Sequence, residues 1–341
     1  MKKLTNEERF SLIKRNTEEI IGEEELKNLL KENKKLTAYI GTATTGKPHI
    51  GYFLWALKVA DLIKSGFHVK ILLADLHAAL DNVGWHVLEH RYDYYKKVIP
   101  ELIKAIGVDI NELEIIRGSG FQLKPEYVYD VLRMSTFVSV HDAKKAASDV
   151  VKMGDNPKLS GLIYPLMQAV DEQHLKVDAQ LGGTDQRKIM VLARENLPKI
   201  GYNSRIEIMT PLIPGLVGDK MSASIEESKI DILDNSETVK KKINKAYCME
   251  GDPNNGIMAF LRYVIMVIKQ DKKEKFIVKR DKKFGGDISY NDYKEIEKDF
   301  INRKLHPQDL KNAVAEEIIK LLNKIDRKKL EKLAEKAYKE F

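Results

Sequence analysis

The sequence predicts an α/β protein in which a parallel sheet carries helices on both faces and is followed by a mainly helical second part, with the boundary near residues 225–240. Three observations point there. Short apolar runs at 36–41 (LTAYIG), 67–75 (FHVKILLAD), 113–117 (LEIIR), 177–181 (VDAQL) and 205–210 (RIEIMT) are separated by stretches of helical period, and strands that alternate with helices assemble into parallel sheets. Beyond about residue 235 strand signals become few. A length of 341 residues suits two domains.

Taken in order, residues 6–33 alternate charge with Ile, Leu and Phe at helical spacing and read as one or two amphipathic helices. The first apolar run, 36–41, ends in Gly41 and gives way to a Thr/Gly/Pro-rich loop and an apolar helical stretch over 49–64. The strand at 67–75 follows, then a long helix over about 86–106, the strand at 113–117 and helices through about 126–172. The strands at 177–181 and 205–210 complete the alternation, and ligands in such sheets bind beyond the carboxyl ends of the strands. In the second part, 237–246, 256–269, 292–303 and 308–339 read as helices, with KKK at 240–242 as a solvated face.

Composition excludes several classes. With 43% hydrophobic and 32% charged residues the chain reads as an ordinary globular protein. No apolar run reaches the length of a membrane span, and the charged start MKKLTNEERF lacks the apolar core of a secretory signal, so the expectation is a cytoplasmic protein without a membrane partner. Cys248 is the one cysteine, which rules out an intrachain disulfide and a cysteine-based zinc site. The net charge of +7 is compatible with a polyanionic partner without being diagnostic.

Three segments carry chemistry. TATTGKPHIGYF places Gly46, His49 and Gly51 where the chain turns from a sheet edge into a helix. A helix start offers unpaired N–H groups and the positive end of the macrodipole to an anion. Read alone, it is equally a plain connecting turn. VGDKMSASIEES at 217–228 presents Lys220 in a glycine-flanked, serine-rich loop able to close over a triphosphate. In LIYPLMQAVDEQH, Tyr164, Gln168 and Asp171 fall at i, i+4 and i+7 among apolar neighbours. That spacing puts a phenol, a carboxamide and a carboxylate on one helix face. Buried polar groups must be satisfied, by an internal network or by a small amphoteric ligand, and Asp171 by itself is also open to pairing with a nearby Lys or Arg.

Pro48-His49-Ile50-Gly51-Tyr52 resembles the HIGH signature of class I aminoacyl-tRNA synthetases, with Tyr52 in place of the last histidine. Lys220-Met221-Ser222-Ala223-Ser224 resembles their KMSKS motif, with Ala223 in place of the second lysine. The Tyr164–Asp171 stretch is similar to the YPxxQxxD signature of archaeal and eukaryotic tyrosyl-tRNA synthetases, and the similarity runs over about residues 36–320. The resemblance implies a Rossmann-like parallel-sheet catalytic domain at 1–230 and a C-terminal all-α anticodon-binding domain at 231–341. It implies that ATP and Mg²⁺ on its phosphates activate L-tyrosine for transfer to tRNA(Tyr) in a homodimer.

Residue by residue, it assigns His49, Gly51, Lys220, Ser222 and Ser224 to catalysis. Tyr164, Gln168 and Gln186 would hold the substrate amino group, and Tyr39 and Asp171 would read the phenol. Gly41, Thr44, Gly46, His49, Gly51, Gly183, Asp185, Lys220 and Met221 would contact ATP. Arg187 and Lys188 would approach the acceptor end of tRNA, with Lys144 and Lys145 as weaker candidates that a solvated surface explains as well. Phe284, His306, Pro307 and Asp309 would meet the anticodon. No side chain is assigned to a resident metal. The rival readings are the sister enzyme for tryptophan, an inactive RNA-binding relative and a nucleotidyltransferase without a tRNA role.

Overall fold

The computed structural model describes residues 4–32, 34–109, 113–151, 153–154, 156–217, 221 and 226–339. Its centre is a six-stranded sheet built from β1 (Glu19–Ile21), β2 (Thr37–Ala43), β3 (His68–Ala74), β4 (Leu113–Arg117), β5 (Ala179–Gly183) and β6 (Ile206–Thr210). The strands lie in the order β1-β6-β5-β2-β3-β4. All neighbours are parallel except β1, which pairs antiparallel with β6. Near-continuous apolar sequences make the inner strands: every residue of β6 is buried and so are Ile71–Ala74 of β3, as a sheet covered on both faces requires.

Chain order runs outward from β2 to β3 and β4 on one side, and from β5 to β6 on the other. The connections therefore part between β2 and β5, and the crevice beyond their carboxyl ends is where such a fold receives a ligand. One face is covered by the helices Tyr52–Lys64 and Leu88–Ala105. The other carries Pro125–Ser135, Val140–Ala147, Leu159–His174 and Arg187–Asn196 around their own buried cluster.

The N-terminal segment differs from the helices expected over 6–33. Helix Asn6–Lys14 begins with a capping box, Thr5 with Glu8, and helix Glu23–Lys31 follows, but strand β1 intervenes. Three residues, Glu-Ile-Ile, are too short to show a period of two, and the edge of β6 supplies their ladder bonds. This segment is held by buried Lys58, whose ammonium donates to the carbonyls of Ile13 and Arg15. Arg15 in turn bridges Asp61 of the Tyr52–Lys64 helix and Asp271 of the helix Met266–Asp271.

The part after residue 231 is helical apart from a two-stranded hairpin, β7 (Phe276–Val278) with β8 (Ile288–Tyr290). Its helices are Ser236–Lys245, Gly256–Phe260 continuing through a π turn into Met266–Asp271, Tyr293–Ile301, Pro307–Leu322 and Arg327–Tyr338. One buried cluster runs from Ile13 to Ala337, across the expected boundary, and the last helix packs back on Leu88–Ala105. Among the described residues no helix is long and apolar enough to cross a membrane.

Gly256 opens its helix against the chain that leads into the 217–228 segment. A β-carbon there would lie 2.5 Å from the Gly215 carbonyl oxygen and 2.8 Å from that of Pro214. Backbone cannot yield as a side chain does, so Gly256→Ala should destabilise the protein by about 2 kcal/mol or more in urea unfolding. An unchanged midpoint would refute the close approach.

Candidate active site

The helix Leu159–His174 turns its polar stripe toward the crevice. Tyr164, Gln168 and Asp171 line a cavity of about 300 Å³ together with Tyr39 of β2, Gly183 of β5, and Asp185 and Gln186 of the turn Thr184–Gln186. All five residues expected around a bound tyrosine thus share one cavity. Gln168 Nε2 donates to Gln186 Oε1 at 3.1 Å, and the Tyr39 hydroxyl is 3.5 Å from the Gln168 carbonyl oxygen.

Asp171 is 1% exposed. Its Oδ1 accepts from Gln122 Nε2 at 2.7 Å and from the Tyr127 hydroxyl at 2.8 Å. Among the described residues its Oδ2 has no hydrogen-bond partner, and His77 Nε2, equally without one, lies 3.8 Å away. Burial lifts the Asp171 carboxyl to about 7, against the pull of the two hydrogen bonds. His77, packed edge-on to Tyr164 at 4.6 Å, is pushed down to about 4 by burial. The cavity floor therefore offers one open carboxylate oxygen, one open imidazole nitrogen and the Tyr39 phenol, a set that can give and take hydrogen bonds at one point.

The cavity opens into a larger cleft of about 1270 Å³, with Gly41, Thr42, Thr45, Tyr52, Gly183 and Asp185 lining both. Gly46, His49, Gly51 and Met221 line the cleft as expected. Thr44 corrects the reading of 41–46: it is fully buried, lines neither cavity, and its hydroxyl has no partner among the described residues. The Thr45 amide donates to the Ala43 carbonyl at 2.8 Å, so a three-residue turn centred on Thr44 leaves Thr42 and Thr45 at the cleft in its stead. Lys220, Ser222 and Ser224, with Ala223, lie outside the described residues.

His49 Nδ1 accepts from the Gly51 amide at 3.2 Å. Burial, then Lys229, push the imidazole down to about 3, so it is neutral, and with Nδ1 an acceptor its proton sits on Nε2 as a donor. A β-carbon on Gly51 would lie 2.8 Å from His49 Cε1. The glycine is thus required by the histidine ring. The first amides of the Tyr52–Lys64 helix differ from the bare donors that the sequence suggested: Tyr52, Phe53 and Leu54 donate to the carbonyls of His49, Ile50 and Gly51. What remains for an anion is the macrodipole and the His49 donor. Tyr52, standing where the signature has histidine, hydrogen-bonds Thr42 at 3.0 Å and so ties the helix start to β2.

Of the residues assigned to RNA contact, Lys188 reaches the rim of this cleft, where Ser148 and Asp149 line it, and the others are absent from its lining. Arg187 is held bidentately by Glu19 at 2.6 and 2.9 Å, and Lys188 donates to Asp149 and Ser148. Lys144 and Lys145 are exposed on the Val140–Ala147 helix. Phe284 is 61% exposed with the Lys283 ammonium over its ring. His306 caps the Pro307–Leu322 helix through Nδ1, with Pro307 and Asp309 in its first turn. Arg280 brings the two loops together by donating to Gly286 and Lys304 carbonyls.

His77, Gln122, Tyr127, Lys229, Arg91 and Tyr338 were not singled out by sequence. For Lys229 a signal existed: in KIDI the apolar Ile230 and Ile232 alternate with Lys229 and Asp231, and Asp231 forms a bridge with His49. The others are assembled from distant segments with no local pattern.

A carboxyl held up by burial favours the folded state below its ordinary value near 4 and loses that contribution as pH rises toward 7. Glu172 and Glu207, buried nearby and also raised, act in the same sense. Asp171→Asn should therefore melt higher than the parent at pH 8 and lose part of the decline between pH 4 and 7. Thermal melts across that range check it; a parallel pair of curves would refute it.

A family model described as class I tRNA synthetases (W and Y) matches residues 31–323. The cytoplasmic tyrosine–tRNA ligase of Danio rerio is 50% identical over 99% of this chain, which spans 64% of that relative's length. The cytoplasmic tyrosine–tRNA ligase of Saccharomyces cerevisiae is 47% identical over 97% of this chain and 88% of its own. A crystal structure of tyrosyl-tRNA synthetase from Archaeoglobus fulgidus complexed with L-tyrosine superposes with a TM-score of 0.88 at 40% identity, covering 96% of this chain and all of that one. With a parallel sheet that parts at β2 and β5, a HIGH-like turn on the cleft and these relatives over nearly its whole length, the chain belongs to the class I tRNA synthetases of the tryptophan and tyrosine group.

Proposed function

We propose that this chain activates L-tyrosine with MgATP to tyrosyl-adenylate and pyrophosphate and then transfers tyrosine to the 3′ end of tRNA(Tyr), in the cytoplasm. The observation that carries the reading is the cavity floor, where Tyr39, the open oxygen of Asp171 and His77 Nε2 converge. A phenol both donates and accepts, whereas an indole N–H only donates, so the floor suits tyrosine better than tryptophan. Phenylalanine would leave the same groups buried and unpaired, a penalty that discriminates strongly.

In the proposed reaction the tyrosine carboxylate oxygen bonds to the α-phosphorus as the bond to the bridging oxygen breaks, and pyrophosphate leaves with that electron pair. No side-chain nucleophile takes part. Gln168 and Gln186, with the Tyr164 hydroxyl, hold the amino group and so set the angle of attack. His49 donates Nε2–H to a phosphate oxygen, and by the motif resemblance Lys220, Ser222 and Ser224 stabilise the leaving group. Gly41, Gly183, Asp185 and Met221 shape the nucleotide's wall.

Residues 1–230 then form the catalytic domain and 231–341 the anticodon-binding one. Exposed Phe284 would stack on an unpaired base beside His306, Pro307 and Asp309. A homodimer fits the helical face on which Leu123, Tyr129, Leu132, Phe137 and Val140 are all at least half exposed, an apolar run that a second copy would cover.

Two measurements test this reading. ATP–pyrophosphate exchange should depend on tyrosine and be absent with phenylalanine; exchange driven by tryptophan would move the chain to the sister activity, and no exchange with any amino acid would leave an inactive relative. Leu132→Glu should shift the sedimenting species from dimer to monomer. A parent protein that sediments as a monomer would remove the dimer from the proposal.

A further inference from the structure

The larger cleft carries charge of both signs. Asp81 and Asp185 face the Tyr164 end, where both act on its phenol. The lining of the cleft also carries Lys47 and Arg91, both beside Tyr338, and Lys229. Lys229 is buried beside Asp231, 3.9 Å away. Lys47 and Arg91 differ from it: neither forms an ion pair among the described residues, and Lys47 acts on Asp231 only at longer range.

Both cations are held by one ring. The Arg91 guanidinium carbon lies 4.6 Å from the Tyr338 ring centroid and the Lys47 ammonium 5.8 Å from it. Among the described residues Arg91 spends only Nε, on the Ala337 carbonyl at 3.3 Å, which leaves its terminal nitrogens for an anion. The Tyr338 hydroxyl donates to the Gly46 carbonyl at 2.7 Å, and the Tyr95 hydroxyl meets the same oxygen at 2.6 Å. Two phenols thus occupy one carbonyl and fix the turn from which Lys47 projects, two residues before His49.

We infer that Arg91 and Lys47 bind the β- and γ-phosphates of ATP, and that Tyr338 is a positioning residue that aims them from the last helix of the chain. The inference deepens the adenylation reading and rests on it. Charge sets the orientation: the amino end of the amino acid lies toward Asp81 and Asp185, and the triphosphate extends toward Arg91 and Lys47. As the bond from the α-phosphorus to the bridging oxygen breaks, negative charge accumulates on the departing pyrophosphate, and two fixed cations there stabilise it. They stand on the Leu88–Ala105 helix and a pinned turn. The C-terminal helix then serves the chemistry through Arg91 and Lys47, in addition to closing the helical part onto the sheet.

The test uses the full chain in tyrosine-dependent ATP–pyrophosphate exchange with ATP varied, alongside tyrosine binding by calorimetry. Arg91→Gln should raise KM for ATP and lower kcat, together by about tenfold or more in kcat/KM, with the tyrosine Kd unchanged. Arg91→Lys should recover part of the loss. Tyr338→Leu should reproduce the ATP defect, Tyr338→Phe, which keeps the ring, should show less of it, and Arg91→Gln with Tyr338→Leu should be no worse than Arg91→Gln alone. Unchanged ATP kinetics in Arg91→Gln, additive losses in the double variant, or a tyrosine Kd that worsens in step with KM for ATP would each overturn the inference. If the parent protein shows no tyrosine-dependent exchange, the adenylation reading falls and takes this inference with it.

Discussion

Strand β2 is the constraint on which the rest depends. It is hydrogen-bonded in parallel to β3 along its whole length and to β5 over Ala38–Ile40, so it lies inside the sheet and parts from β5 toward its carboxyl end. The chain must leave it by turning up out of the sheet, and because the onward connections diverge there, no crossover helix covers the spot. Tyr39 within the strand, Thr42 near its end and the turn from Gly46 to Gly51 after it are thereby carried into one crevice. The small cavity and the large cleft are two levels of that opening.

What lines the opening is costly to bury. Asp171, His77 and Gln180 of the cavity lining, and Glu172 and Glu207 outside it, are all nearly inaccessible, and each has at least one polar atom without a hydrogen-bond partner among the described residues. Isolated buried charge is so unfavourable that such groups shift toward their neutral forms, as the raised carboxyls and the lowered imidazole show. An apolar core of the same volume would be more stable. The arrangement is sensible for a site whose open hydrogen-bonding capacity belongs to a ligand, and it separates Asp171, where Gln122 and Tyr127 fill one oxygen and leave the other open, from a merely structural buried acid.

The parts before and after residue 231 share an apolar core and several polar contacts, of which two bear on the site. Arg15 links Asp61 to Asp271, and Tyr338 reaches Gly46. Both end on the Tyr52–Lys64 helix or on the turn that precedes it, the element that presents His49. The position of that helix is therefore over-determined by the N-terminal segment, the sheet and the C-terminal helix together, and fixed donors in a site need no reorganisation as charge develops.

Much of this was legible in the sequence because its signals are local. Apolar runs separated by helical periods gave the parallel strands within a few residues, and the i, i+4, i+7 spacing of Tyr164, Gln168 and Asp171 placed them on one face that does line the cavity. Strand β1 and the β7–β8 hairpin were missed, since three residues carry no readable period and their pairing energy comes from a partner remote in sequence. Thr44 was misplaced because a turn that spans three residues decides which threonine faces out. By itself the sequence determined the fold class and the residue types available at the crevice, through periodicity and short motifs. Only the tertiary structure decided which of those groups remain open: Gln122 and Tyr127 on Asp171, the Gly51 amide on His49, and Tyr338 on Arg91 and Gly46 come from segments tens to hundreds of residues away or depend on the local turn, and hydrogen-bond satisfaction is settled by packing, which no linear pattern encodes.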